Sequence, residues 1–236
     1  MIQRPQSAEI LPGPGFQIRR NIDRPEQSLY SKFAEFGTPD ISDMMNRLYT
    51  MSPEIKNVVN DERILGPACT VKVFPGDNLM VHKALDLARP GDIVVVDAGA
   101  SAMNGVLGDL ISTKGKHRGI AAFVVDGLVR DIDGIRESGM TVFARGVTPI
   151  GPLHRGPGEI NFPVSCGGIV VNPGDIIVGD WNGVVVVRKE MASELLNRLH
   201  AQRAKLHDYI QNVRKGVFSN EWVDAMLDAA HCAYVD

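Results

Sequence analysis

The chain has 236 residues, a formal net charge of −3, 44% hydrophobic and 22% charged residues, which suits one full-cored domain with terminal arms. Mild acidity without a dense Lys/Arg stripe argues against a nucleic-acid partner, and no apolar run approaches the roughly 18 residues that a membrane span needs. Cys69, Cys166 and Cys232 are widely spaced with no CxxC, so neither a disulfide framework nor structural zinc is expected, and a cytoplasmic setting is.

Residues 1–25 are rich in Pro, Gly, Arg and Gln and lack an apolar signal core. They read as an extended arm, with a neighbouring subunit as one surface it could dock on. Gln27 to Phe36 reads as a short helix. A second helix starts at Thr38, with Thr38 as N-cap and Pro39 in the first turn, and runs to about Leu48. Cys69 to Phe74 alternates as a strand. Asp77 then caps a helix over Asn78 to Ala88. Ile93 to Asp97 is a fully apolar strand ending on an acid. A helix follows Gly108, then a strand over Ile120 to Val125, a helix from Asp131 to about Ser138, and a strand over Thr141 to Ala144.

Gly146 to Pro163 reads as a long loop with four prolines, one histidine and one arginine, of a length that is often functional. Short strands are expected over Gly168 to Val171, Ile176 to Val178 and Gly183 to Val187, with Asn182-Gly183 as a hairpin turn. A long helix follows from Met191 to about Arg214, with Leu195, Leu199, Leu206, Ile210 and Val213 on one face. A last helix covers about Asn220 to Ala230. Strands alternating with helices argue for a layered α/β domain, and the later hairpins for a mixed sheet or small barrel.

The chemistry concentrates between Asn104 and Asp131. Gly105-Val-Leu-Gly108-Asp109 opens a helix, where glycines allow close approach and free amides attract an anion. The alternative is that these glycines only permit a tight turn. Arg130-Asp131 follows a buried strand, at the mouth where α/β domains bind ligands. Arg130 could clamp a carboxylate. Asp131 could bind Mg²⁺ or Mn²⁺, and Asp109 could hold metal-bound waters. The alternative is a solvated helix start. Asp43, Asp77, Asn78, His82, Asp97 and Asp180 are secondary candidates: Asp43 reads as surface, Asp77 as a cap and His82 as a core histidine. Cys166 lacks a His/Asp companion set for nucleophilic catalysis. There is no GxGxxG and no Walker lysine-serine pair to support nucleotide binding.

Several motifs together resemble the RraA-like family, in particular its class II pyruvate aldolases, which act on 4-hydroxy-4-methyl-2-oxoglutarate and 4-carboxy-4-hydroxy-2-oxoadipate. They are an Asp followed after twenty residues by Arg-Asp (Asp109, Arg130, Asp131), PGDN with a downstream His (Pro75 to Asn78, His82), GxxGDL (Gly105 to Leu110), DGLVRD (Asp126 to Asp131), NFPVSCGG (Asn161 to Gly168) and NPGDIIVGDWNG (Asn172 to Gly183). The resemblance implies a single layered α/β/α domain of the swivelling, phosphohistidine-domain-like type, with a mixed sheet and a terminal helical extension. Its boundaries are an arm over 1–25, a catalytic domain over 26–190 and the extension over 191–236.

The resemblance also implies a divalent-metal-dependent lyase releasing pyruvate from a small 2-oxo acid, with oxaloacetate decarboxylation as a companion activity. Asp131 binds Mg²⁺ or Mn²⁺ directly and Asp109 through water. Arg130 and the segment Gly108, Asp109, Leu110 and Ile111 bind substrate, and Arg130, Asp109 and Asp43 are the catalytic set. Homotrimeric or homohexameric rings with sites at subunit interfaces are implied too. The other implied reading is a non-catalytic regulator that binds RNase E. Nothing resembles a glycine-rich S-adenosylmethionine loop. Where aldolase members carry a glutamate on the C-terminal helix, this chain has Leu206, flanked by His207 and Asp208.

Overall fold

The computed structural model describes residues 9–235. In chain order its elements are β1 (Phe16–Ile18), α1 (Gln27–Tyr30), α2 (Thr38–Met44), β2 (Lys56–Asn57), β3 (Ile64–Val73), α3 (Leu79–Ala84), β4 (Ile93–Gly105), α4 (Asp109–His117) and β5 (Ala122–Val129). Then come α5 (Ile132–Glu137), β6 (Thr141–Val147), β7 (Gly158–Ile160), β8 (Val164–Cys166), β9 (Ile169–Val171), β10 (Ile176–Asp180), β11 (Gly183–Val187), α6 (Ala192–Arg214) and α7 (Glu221–Ala229).

β3, β4, β5 and β6 lie side by side and parallel, because each of the first three feeds a helix that returns the chain to the sheet's starting edge. The nine-stranded sheet runs β1-β7-β3-β4-β5-β6-β2, and the β10–β11 hairpin hangs on the first half of β3. Alternation divides the core. Val94, Val96, Phe123 and Val125 point to the face covered by α3, α4 and α5, where they meet Val81, Ile111 and Ile135. Ile93, Val95, Ala122 and Val124 point to the other face, covered by Met51, Ile55 and the hairpin residues Val164, Ile177, Val184 and Val186. Helices cover one face and mainly strands the other. The result is a mixed α/β fold with a large mixed sheet.

Several boundaries differ from the sequence reading. β3 begins at Ile64 rather than Cys69, because Gly66-Pro67 does not break it. Pro67 ends the pairing with β10, and Ala68 begins the pairing with β4. β4 continues past Asp97 to Gly105 through two register shifts, with Ala100 in the left-handed region at φ 53°. α2 stops at Met44, since Asn46 and Arg47 are left-handed at φ 55° and 65°. The long loop contains β7, which pairs with both β3 and β1. The arm therefore docks on its own chain: β1 extends the sheet, and Arg24 clamps Asp92 at 2.8 and 2.6 Å. The part of the expected arm at residues 1–8 lies outside the described residues.

The caps also differ. Gly37 occupies the N-cap of α2, and Thr38 instead bonds Asp180 through its amide (2.9 Å) and hydroxyl (2.6 Å). Asn78 is the N-cap position of α3, while Asp77, one residue earlier, accepts the Leu79 amide at 2.8 Å. The chain divides into two compact units, Met1–Leu196 and Asn197–Asp236. In the second unit Leu206, Ile210 and Val213 are 38%, 38% and 40% exposed.

Candidate active site

Four segments meet at the C-terminal ends of the parallel strands. They are the turn after β3, the turn after β4, the residues following β5, and the segment 150–154 after β6. Backbone bonds fix them together. The Val106 amide donates to Leu128 O (2.8 Å) and the Arg130 amide to Leu107 O (3.0 Å). The Gly105 amide donates to Ile150 O (2.8 Å), and the Asn104 side-chain amide to Gly151 O (2.7 Å). The amides of Leu153 and Asn78 donate to Gly76 O (2.8 Å) and Leu153 O (3.0 Å). A cavity of about 220 Å³ opens there, lined by Asn78, His82, Gly108–Ile111, Arg130, Asp131, Gly151 and His154, with Leu107 and Pro152. Ligands of α/β folds bind at such strand ends.

The chain brings Gly108, Asp109, Leu110, Ile111, Arg130 and Asp131 to this one cavity. Asp131 is left-handed (φ 57°) at the start of α5, with its side chain 43% exposed. Arg130 Nε donates to Asp131 Oδ2 at 3.1 Å, and the guanidinium lies against Gly151. A Cβ on Gly108 would sit 2.5 Å from Asp131 Oδ2, so glycine is what leaves the carboxylate its place. Asp109 Oδ1 accepts the Leu110 amide at 2.7 Å, so this amide is engaged within the chain rather than free for an anion. Asp109 Cβ would lie 2.6 Å from a Cβ on Gly134, which seats α4 closely on α5.

Asp43 is not at the cavity of its own chain. It lies exposed on α2 and pairs with Arg47 at 2.9 Å. Asp97 is buried and committed to Lys72 (2.8 Å) and the amides of Gly99 and Ser165. Asp180 holds the start of α2. Asp77 ties α3 to the Arg155 amide at 2.5 Å. Cys166 is buried, and burial first, then the carboxylates Asp126 and Asp97, push its thiol well up. Asn78 and His82 line the cavity, so His82 is not a core histidine. Burial, then Lys114 and His154, hold the His82 imidazole below its usual range.

Sequence reasoning assigned nothing to His154, which joins the cavity from the long loop. The loop's length was the only signal, since nothing local to Leu153-His154-Arg155 fixes where it folds back.

For the divalent cation that the resemblance implies, the donor set can be tested. Asp131 and Asp109 offer hard carboxylate oxygens. Mg²⁺ keeps several waters and takes one or two carboxylates with substrate oxygens. The missing Cβ at Gly108 leaves Asp131 Oδ2 uncovered on that side. Among the described residues no group of three or more His, Cys, Asp or Glu is placed to hold a metal. The two carboxylates fit a water-rich ion of this kind.

The RraA-like family (Aldolase/RraA) matches residues 38–186. A Halalkalibacterium halodurans protein provisionally named a 4-hydroxy-4-methyl-2-oxoglutarate aldolase is 38% identical over 183 residues, covering 78% of this chain and 87% of its own. The Streptomyces coelicolor protein RraAS2, described as an unusual member of the RNase ES inhibitor RraA family, superposes with a TM-score of 0.73 at 27% identity, covering 81% of this chain and 99% of its own. A Geobacillus kaustophilus structure described as an S-adenosylmethionine:2-dimethylmenaquinone methyltransferase gives 0.62 at 30% identity, covering 67% and 98%.

Proposed function

The chain belongs to the RraA-like family, and from that premise we propose that it is a divalent-metal-dependent carbon–carbon lyase that releases pyruvate from 4-hydroxy-4-methyl-2-oxoglutarate-type 2-oxo acids, with oxaloacetate decarboxylation as a companion activity. The observation that carries this reading is the convergence of Arg130, Asp131 and Asp109 on one small cavity at the strand ends. Arg130 would bind the carboxylate of the 2-oxo acid, since its guanidinium lies at the cavity wall and offers a fork of donors. Asp131 would hold the cation, in Mg²⁺ or Mn²⁺ form, and Asp109 its waters. When bound, the cation would supply Lewis acidity toward the substrate's carboxylate and ketone oxygens. The Ile111 amide, next along α4 from the engaged Leu110 amide, would complete the anion site.

Asp43 would act only from a second copy of the chain. That agrees with a homotrimer or homohexamer, and mixing Asp43→Ala with Asp131→Ala subunits would test it by restored activity.

A second reading, regulation of an RNase E-type enzyme without catalysis, is favoured by the likeness to RraAS2. One assay separates the two. The protein is incubated with oxaloacetate or 4-hydroxy-4-methyl-2-oxoglutarate, with Mg²⁺ or EDTA, and pyruvate is measured through a coupled dehydrogenase. Pyruvate with Mg²⁺ and none with EDTA is expected. No pyruvate from either substrate in Mg²⁺ would sink the lyase reading.

A further inference from the structure

We propose that His154 is a catalytic residue of this site, the one that moves the proton during carbon–carbon cleavage. The proposal rests on the lyase reading above and deepens it. The argument starts from Asn78, which is 2% exposed. Its Nδ2 donates to the carbonyl of Val106 at 2.8 Å. A carbonyl can only accept, so this bond fixes which way the side-chain amide faces. Asn78 Oδ1 must then be the atom that meets His154 Nδ1 at 2.6 Å. An amide oxygen also only accepts, so His154 donates from Nδ1. The neutral ring therefore carries its lone pair on Nε2, and the tautomer is set by the fold.

Among the described residues no hydrogen bond engages Nε2, and the ring lines the cavity shared with Arg130 and Asp131. The ring is also held in place. The residues on either side are pinned, Leu153 by Gly76 O and Arg155 by Asp77 Oδ2. His82 packs edge-on against it, with ring centroids 5.5 Å apart and planes at 67°. Burial, Lys114 and His154 itself disfavour a charge on His82. The cavity's two carboxylates, Asp109 and Asp131, are the metal donors of the proposed function. His154, with its Nε2 lone pair free toward the cavity, remains as the group suited to take and return a proton.

The step balances as follows. Nε2 takes the proton from the hydroxyl on C4 of a 4-hydroxy-2-oxo acid. The C4–O bond becomes a carbonyl, the C3–C4 bond breaks, and its electron pair remains on the three-carbon fragment as the enolate of pyruvate. The imidazolium then returns the same proton to C3, giving the methyl group of pyruvate and a neutral ring. Nothing is oxidised or reduced. Decarboxylation of oxaloacetate has no hydroxyl proton to remove, so the two reactions depend on His154 differently.

That difference is the test. The full-length protein with Mg²⁺ is compared with His154→Ala and His154→Gln on both substrates. For both variants kcat for cleavage of 4-hydroxy-4-methyl-2-oxoglutarate should fall about a hundred- to ten-thousandfold, with KM little changed. Oxaloacetate decarboxylation should stay within about tenfold, and added imidazole should partly restore cleavage in His154→Ala. Cleavage at the wild-type kcat in either variant overturns the proposal. So does a parallel loss of both reactions that imidazole does not relieve. If the wild type releases no pyruvate from either substrate, the lyase reading itself fails and the role of His154 falls with it. An active wild type with an unimpaired variant removes only the His154 assignment.

Discussion

Two aspartate–arginine pairs lie close together at the end of β5, and they have opposite characters. Asp126, inside the strand, is 5% exposed. It receives Arg145 Nε on one oxygen and the Gly167 amide at 2.8 Å on the other, and Arg145 is also held by Glu54. The hydrogen bond that Arg145 donates to Asp126 leads the effects that favour the charged guanidinium. Asp131, just past the strand, is half exposed, with one contact to a half-exposed Arg130 at 3.1 Å. The residue types are the same, but the number of partners and the exposure differ. The closed pair joins β5, β6 and the β8–β9 hairpin, whereas the open pair keeps lone pairs and N–H groups for something else. A charged pair in an α/β fold becomes a candidate site where the strand ends, because there the sheet stops supplying partners.

Substitutions can break this contrast. Asp131→Asn should lower kcat/KM for pyruvate release about a thousandfold, equivalent to the several kcal/mol that metal-assisted charge stabilisation provides. Its urea midpoint should stay near that of the wild type, because a half-exposed pair contributes little to stability. Asp126→Ala should do the reverse. It removes one of the two carboxylate partners of the part-buried Arg145 and leaves the buried Gly167 amide unpaired, which should cost about 2 kcal/mol in urea unfolding. Equal stability losses in the two variants would erase the distinction.

Gly134→Ala probes the scaffold beneath the open pair. The added methyl meets Asp109 Cβ at 2.6 Å, and that atom is fixed to the backbone of α4. The helices must separate, at a cost of about 2 kcal/mol by analogy with overpacked cores. Gly108→Ala meets the Asp131 carboxylate at 2.5 Å and Arg130 Cγ at 3.2 Å, both on half-exposed side chains that can shift. It should therefore reduce activity with little change in unfolding. A Gly108→Ala protein as active as the wild type would show that the position of Asp131 is not what the glycine protects.

The sequence made the core strands and the Asp109–Arg130–Asp131 constellation legible for two reasons. Fully apolar runs such as Ile93 to Val96 have one place to go, and the twenty-residue spacing spans one helix and one strand. It did not reveal β1 or β7, whose three-residue pairings depend on each other rather than on local pattern. It hid His154 because the loop's path is set by distant bonds to Gly76, Asp77 and Asn78. It misplaced the cap of α2 because Asp180, far along the chain, outcompetes local capping by Thr38. Asp43 was placed in the site on resemblance alone, and one chain cannot carry it there.

Asp180 supplies the smallest test and a control for the contrast, because it is partly buried but fully partnered, and it is remote from the cavity lining. Burial alone would push its carboxyl up. The Thr38 hydroxyl and amide, with the Asn182 groups, outweigh burial and hold it below the usual 3.8. A carboxylate whose folded pKa is depressed adds stability above its unfolded pKa, and that stability is lost as pH falls through the folded value. Thr38→Val removes the hydroxyl donor at 2.6 Å and leaves the amide bond. It should cost about 1 kcal/mol at neutral pH, the net worth of one hydrogen bond with some charge assistance. The gap from the wild type should narrow as the pH falls below the usual carboxylate range, where protonation of Asp180 removes the charge in both proteins. Pyruvate release at neutral pH should be unchanged. A gap independent of pH would mean that Thr38 acts through packing, and that partner count at Asp180 does not govern its charge.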